Sequence, residues 1–421
     1  MTGVQTCALP ICTDYFGSGE CPSGWNPDYW FDGRNYLDGL SSKEKHLWRQ
    51  ATSDEWKEHN ISEEMTWAFK NSEKAIEYIK TSGSDPFFLV VSYDEPHHPY
   101  FCPPEYVTEF NSYHYPLKKN AYDNLSGKPF HQHEWAKAQN LTEVSTFNFK
   151  EGYFCEPELW GCNAFVDDQI GRVIKAVETH APENTYMFFT SDHGDLLGAH
   201  GLRGKGWCMY EEEVRVPFIV VPPDRSRLLN EGVQNTTGRT VETSVSHIDL
   251  LPTMLDIAGL ETPPILEGRS LLPVIEGRAD EITDEPIFIE YQRHAVNHDM
   301  GGLQPIRCIR KGNYKLIINL MTSDELYDLS SDPEELKNRI SDPATADVRE
   351  DLLKELICFM NKNRDPFRGV WWERREWNTS SASAWDGYYR DRPDDGYEKE
   401  ALDYNTGKKS GNSVKHYGVP H

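Results

Sequence analysis

Asp192 and His193 follow directly on a strand-forming run, residues 186–190, and precede Gly194. A carboxylate and an imidazole where a strand stops can hold a divalent cation between them, and in open α/β sheets the carboxyl ends of strands border the ligand crevice. Gly198, Gly201, Gly204 and Gly206 then let the backbone wrap closely around a ligand, while Arg203 and Lys205 bring positive charge to the same stretch, residues 190–217. That combination suits an anionic substrate held beside a metal. His97 and His98 have a parallel setting, in the proline-rich DEPHHPYFCPPEY loop just beyond the apolar run 87–93. Paired imidazoles in a loop stiffened by proline have few structural reasons to exist.

The elements that must position these groups alternate along the chain. Residues 63–80 place Trp67, Ala68, Ala75, Ile76 and Ile79 at helical spacing, and 163–180 do the same with Phe165, Val166, Ile170, Val173, Ile174 and Val177. Between and after them, 87–93, 186–190 and 216–221 are short apolar runs of the kind buried parallel strands use. Ser246 and Gly259 bracket a further helix as N-cap and C-cap. The alternation predicts an α/β fold to about residue 275, a mostly parallel sheet between layers of helices. Short strands at 287–291, 306–309, 314–319 and 325–329, with a helix at 348–361, then predict a small antiparallel α+β subdomain over 285–365.

Other stretches carry less pattern. Residues 13–60 lack helical or alternating periodicity and read as loop; 111–150 read as an insertion over the site; 366–421 read as a surface-wrapping or mobile tail. Aromatic residues in 13–40 and 365–390 would suit stacking on a sugar ring. The first twelve residues, MTGVQTCALPIC, have no basic residue and no long apolar core, so they are not a secretory signal. They read as foreign sequence replacing the genuine upstream part, with the α/β domain starting near Thr13.

The 421 residues carry a formal net charge of -25, from 43 basic and 68 acidic side chains, which argues against a nucleic-acid partner. No stretch approaches the ~20 apolar residues of a membrane span. The nine cysteines have no CxxC pair and no zinc-ligand spacing, so they read as core thiols with room for a disulfide or two.

Six blocks, in order, resemble the sulfatases of the alkaline phosphatase superfamily: SYDEPHHPY, GCNAFVDDQIGRVI, SDHG followed by GAHG, Lys205 and EEEVRVPFIV, HIDLLPTMLDIAG, EGRSLLP, and ELYDLSSDPEELKN. The resemblance implies an alkaline-phosphatase-like fold and a calcium ion for which Asp192 and His193 are two ligands. It makes Lys205 and His97 contacts of the sulfate group, with His97 as general acid, and His98, His200 and Arg203 their neighbours. Arg293 and His294, in YQRHAVNH, would meet the substrate, a sulfated carbohydrate.

One departure outweighs these matches. The family needs an upstream Asp-Asp pair for calcium and a C-x-P-S-R or similar motif whose Cys or Ser is oxidised to formylglycine, the nucleophile. Neither occurs in the chain, and Cys21-Pro22-Ser23-Gly24 lacks both the spacing and the arginine. The nucleophile is therefore expected upstream of Thr13, and the chain as it stands is expected to be inactive. An intact parent would be periplasmic or secreted and would need a formylglycine-generating or anaerobic sulfatase-maturating enzyme. The alternatives are a phosphodiesterase or phosphonate monoester hydrolase of the same superfamily, and a non-catalytic relative.

Overall fold

Thr66 starts the first long helix, Trp67–Thr81, by accepting the Phe69 amide on its hydroxyl; the apolar spacing then buries Trp67, Ala68, Ala75 and Ile79. This is a computed structural model that describes residues 18–49, 52–223, 238–279, 286–292 and 304–363, together with 365, 367, 372, 375–378, 400–402 and 409–413. The first twelve residues, Arg293, His294 and most of the 366–421 tail lie outside the described residues. The chain divides into two compact units, one of residues 1–117 and 142–187, the other of 118–141 and 188–421.

In the first unit, helix Trp67–Thr81 packs on helix Pro157–His180, whose buried face is Leu159, Cys162, Phe165, Val166 and Ala176; of the apolar residues expected to face inward, Phe165 and Val166 are buried, Ile170, Val173 and Val177 are half-buried, and Ile174 is exposed. A second core of Tyr36, Leu40, Trp48, Trp56, Ile61, Trp67 and Phe101 lies within this unit. It includes three helices in the stretch expected to be loop: Gly33–Asp38, Ser42–Arg49 and Ser53–Glu58. Each is too short for its apolar period to register, but Asp32 with Asn35 and Thr52 with Glu55 form reciprocal capping boxes. Tyr36 and Trp56 are almost fully enclosed in that core, whereas Trp25, Tyr29, Trp30 and Phe31 are half-buried.

The run 87–93 differs from its expected strand. It is extended and half-buried, and Val91 alone forms an isolated bridge. Side chains of helix Trp67–Thr81 hold it: Trp67 Nε1 donates to the Ser92 carbonyl at 3.0 Å, and Ser72 Oγ bonds the Tyr93 hydroxyl at 3.0 Å. The unit also holds a small three-stranded antiparallel sheet of β1 (Tyr115–Pro116), β2 (Phe147–Asn148) and β3 (Tyr153–Phe154), in the order β1-β3-β2.

In the second unit, β4 (Met187–Thr190) pairs with β5 (Phe218–Val221). Neither is buried on both faces among the described residues: Phe189 is 42% exposed and Ile219 is 55% exposed. Strands β6 (Ile287–Tyr291), β7 (Ile306–Lys311), β8 (Tyr314–Asn319) and β9 (Glu325–Asp328) form an antiparallel meander, as expected. One face of it packs on helix Ala346–Lys362 and Trp372. The other face supplies Ile306, Cys308, Ile317 and Tyr327 to a core shared with Leu196, Leu202, Trp207, Cys208, Met209 and Tyr210. The meander and the glycine-rich stretch thus share one core.

Candidate functional site

The Asp192–His193 turn is built by its own side chains. Asp192 Oδ1 accepts the His193 amide at 2.9 Å, and Ser191 Oγ donates to the His193 carbonyl at 2.9 Å. His193 donates to the Gly194 carbonyl through Nδ1 at 2.8 Å, and its Nε2 lies 3.4 Å from Asp192 Oδ2. Two donors at that spacing can share an edge of a cation with bonds of ~2.4 Å. Calcium takes about six to eight oxygen ligands. Among the described residues no group of three or more His, Cys, Asp or Glu side chains is arranged for a metal. The described donors are therefore two corners of a coordination shell and do not by themselves fit calcium.

The loop that follows is held in an unusual backbone. Leu197, His200 and Trp207 all have positive φ, at 43°, 57° and 53°, although none is glycine. Gly204 and Gly206, at φ 83° and 102°, flank Lys205. Asp195 Oδ1 accepts the Leu197 and Gly204 amides at 3.0 and 3.1 Å, and Glu213 Oε1 accepts the Gly206 amide at 2.7 Å. Gln139 clasps Arg203 from outside, its Oε1 taking the Arg203 amide at 2.8 Å and its Nε2 donating to the Arg203 carbonyl at 2.6 Å. Lys205 is half-buried, and its ammonium makes no ion pair or hydrogen bond among the described residues. A cation so placed is available to an anion.

His97 and His98 belong to the first unit, apart from this loop in the division of the chain. His97 bonds the His98 carbonyl through Nδ1 at 2.7 Å, and the two rings stack at 4.5 Å between centroids. The Asp94 carbonyl accepts the His97 amide at 2.8 Å and closes the turn. Glu95 anchors the loop from beneath, its Oε1 accepting the Ala68 amide at 3.0 Å.

The Sulfatase family model matches residues 3–260. The chain belongs to the sulfatase family. A second model, N-sulphoglucosamine sulphohydrolase, C-terminal, matches residues 198–362. Over 399 residues the chain is 43% identical to the uncharacterized sulfatase YidJ of Escherichia coli (strain K12), covering 94% of this chain and 76% of that protein. It is 28% identical to the N-acetylglucosamine-6-sulfatase of Bos taurus over 288 residues, covering 61% of this chain and 48% of that enzyme. The phosphonate monoester hydrolase SpPMH from Silicibacter pomeroyi has a similar fold, with a TM-score of 0.59 at 20% identity over 80% of this chain and 70% of that one.

Within this sulfatase-family chain, His200 sits differently from the neighbour of the sulfate group that the motif suggests. Its ring has no exposed surface and stacks on Tyr210 at 3.7 Å. Its Nδ1 lies 2.8 Å from Asp123 Oδ2, and Lys128 Nζ lies 2.7 Å from the same oxygen. Burial would raise the Asp123 carboxyl, but the His200 hydrogen bond and the Lys128 ammonium outweigh it and hold the group at about 2. Burial in turn pushes the His200 imidazole below its usual range. An anionic Asp123 and a neutral His200 put the proton on Nδ1, so His200 packs and orders the loop from its inner side.

Asp195, Glu213, Gln139 and Glu95 are site-shaping groups that the motif reading did not single out. Asp195 alone is set among glycine and apolar residues, in HGDLLG, which was the available signal. Arg203 remains on the loop beside Lys205, whereas Arg293 and His294 lie outside the described residues.

Proposed function

We propose that the chain is part of a sulfuric ester hydrolase acting on sulfated carbohydrates, with a formylglycine nucleophile and a calcium ion supplied with residues beyond those described. The observation that carries the reading is the Lys205 ammonium, uncommitted among the described residues, on the loop that begins with Asp192 and His193. In this reading Lys205 offsets charge on the sulfate oxygens, His97 Nε2 protonates the leaving alcohol oxygen, and Asp192 and His193 are two ligands of the metal. Arg203 and His98 flank the substrate. The sulfated-sugar assignment draws support from the N-acetylglucosamine-6-sulfatase relative. The intact enzyme would act in the periplasm or outside the cell, which fractionation of the native host would check.

The fold likeness to a phosphonate monoester hydrolase supports a second reading, phosphorus-ester hydrolysis. The two separate in one experiment. The full-length gene product, matured by a formylglycine-generating or anaerobic sulfatase-maturating enzyme, is assayed against glucosamine 6-sulfate, an aryl sulfate and a phenyl phosphonate monoester. Sulfate release from the sugar with the highest kcat/KM is expected. A higher kcat/KM for the phosphonate would replace the proposal with the second reading, and no turnover of any ester would leave the non-catalytic relative.

A further inference from the structure

We propose that Asp195 and Glu213 are positioning residues for Lys205, a pair of carboxylates that fix the peptide groups on either side of it. The inference rests on the sulfate-binding reading of Lys205. Asp195 Oδ1 takes the amide of Gly204 and Glu213 Oε1 takes the amide of Gly206, so the residues before and after Lys205 are each bonded to a carboxylate. Both glycines are in the left-handed region, where one bond alone would leave the chain many alternatives.

Glu213 does a second thing with its backbone. Its carbonyl accepts the Gly194 amide at 2.8 Å, the residue directly after His193. One residue therefore touches both ends of the loop: its side chain holds the Lys205 turn, and its main chain holds the His193 turn. The approach is close enough that a Cβ on Gly194 would lie 2.0 Å from the Glu212 carbonyl oxygen, so the contact admits only glycine.

The acceptor pattern separates these two acids from the other buried ones nearby. Glu211 and Glu335 pair with Lys315, and Asp123 pairs with Lys128. Asp195 and Glu213 form no salt bridge with a lysine or arginine among the described residues; Asp195 bonds loop amides, and Glu213 adds the Cys208 thiol, which donates to Oε2 at 3.0 Å. Their bonds serve the geometry of this loop. A lysine held this way meets an anion without reorganising, whereas a displacement of ~1 Å can cost ~10²-fold in rate.

Two measurements test the pair. Amide hydrogen exchange on the 421-residue chain compares wild type with Asp195→Ala, Glu213→Ala, Asp195→Asn and Glu213→Gln. The alanine variants should raise exchange ~10-fold or more at Gly204 and Gly206 respectively. Gly194, bonded to a main-chain carbonyl, should stay protected in Glu213→Ala, as should β7 and β8. Asn and Gln keep an acceptor oxygen and should restore most of the protection. A rise spread evenly into β7 and β8, or Gln behaving like Ala, overturns the proposal in favour of a general folding role.

The second measurement is a cycle in the sulfate-release assay above. Glu213→Ala should lower kcat by ~10-fold or more, and should add less than about 2-fold in a Lys205→Ala background. Multiplying losses would overturn action through Lys205. If the wild type releases no sulfate from any substrate, the functional reading fails, and the exchange pattern alone still upholds or refutes the two-carboxylate clamp.

Discussion

Glu95→Gln should flatten the dependence of stability on pH. Glu95 is buried beneath the His97 loop; Oε1 accepts the Ala68 amide, and Oε2 has no hydrogen-bond partner among the described residues. Burial first, then the neighbouring Asp94 carboxylate, push its pKa from the ordinary 4.5 up to about 8. The folded state therefore binds the Glu95 proton more tightly than the unfolded chain does. Its contribution is fully present below pH 4.5 and is lost as pH rises through about 8. At ~1.4 kcal/mol per pH unit, the loss across that window is about 5 kcal/mol. Gln keeps the acceptor for the Ala68 amide and never ionises. Urea unfolding followed by circular dichroism from pH 5 to pH 9, at ~1 pH intervals, should show the Gln variant gaining on wild type at ~1.4 kcal/mol per unit until about pH 8. Parallel profiles would mean that Glu95 ionises like an exposed carboxylate, and the burial argument would fail.

Four further outcomes are expected. Lys315 is enclosed between the Met209 carbonyl, Glu211 and Glu335, and those carboxylates outweigh burial to keep it charged. Lys315→Ala should therefore cost ~3–5 kcal/mol in denaturant unfolding, and pairing it with Glu335→Gln should recover part of that. Gly194→Ala forces Cβ against the Glu212 carbonyl and should destabilise by ~1–3 kcal/mol or more, seen as a lowered Tm. In the matured full-length gene product, Lys205→Ala and His97→Ala should each reduce sulfate-ester hydrolysis ~10²-fold, and near wild-type rates would remove those roles. Calorimetry of that protein should lose most of its calcium affinity with Asp192→Ala, and unchanged affinity would take Asp192 out of the metal site.

Much of the scaffold was legible because its elements are long enough for periodicity to speak. Helix Pro157–His180 and strands β6 to β9 fall where their apolar patterns put them, and Ser246 forms the capping box expected of an N-cap. Residues 87–93 misled because an apolar run signals burial, while a strand also needs a continuous ladder, and among the described residues only Val91 forms a bridge, with helix side chains bonding Ser92 and Tyr93. The three helices within 33–58 were hidden for the opposite reason: their signal is polar and lies in the caps. Metal and cation candidates could be named from residue type and order. The Asp123–Lys128–His200 cluster could not, because His200 lies 72 and 77 positions from its two partners and only packing determines their proximity.

The left-handed residues of the 196–207 loop set a limit on how this segment can vary. Leu197, His200 and Trp207 each hold a backbone conformation that costs an L-residue ~1–2 kcal/mol and that glycine adopts freely. Glycine would relieve that cost, yet it would also empty the space filled by the His200 ring on Tyr210 and by Trp207 against Trp135. Backbone and core therefore ask for opposite residues at the same positions. Substitutions in either direction lose something, so drift in this loop should proceed only through compensated pairs, which makes it a slowly changing stretch even where it touches no substrate.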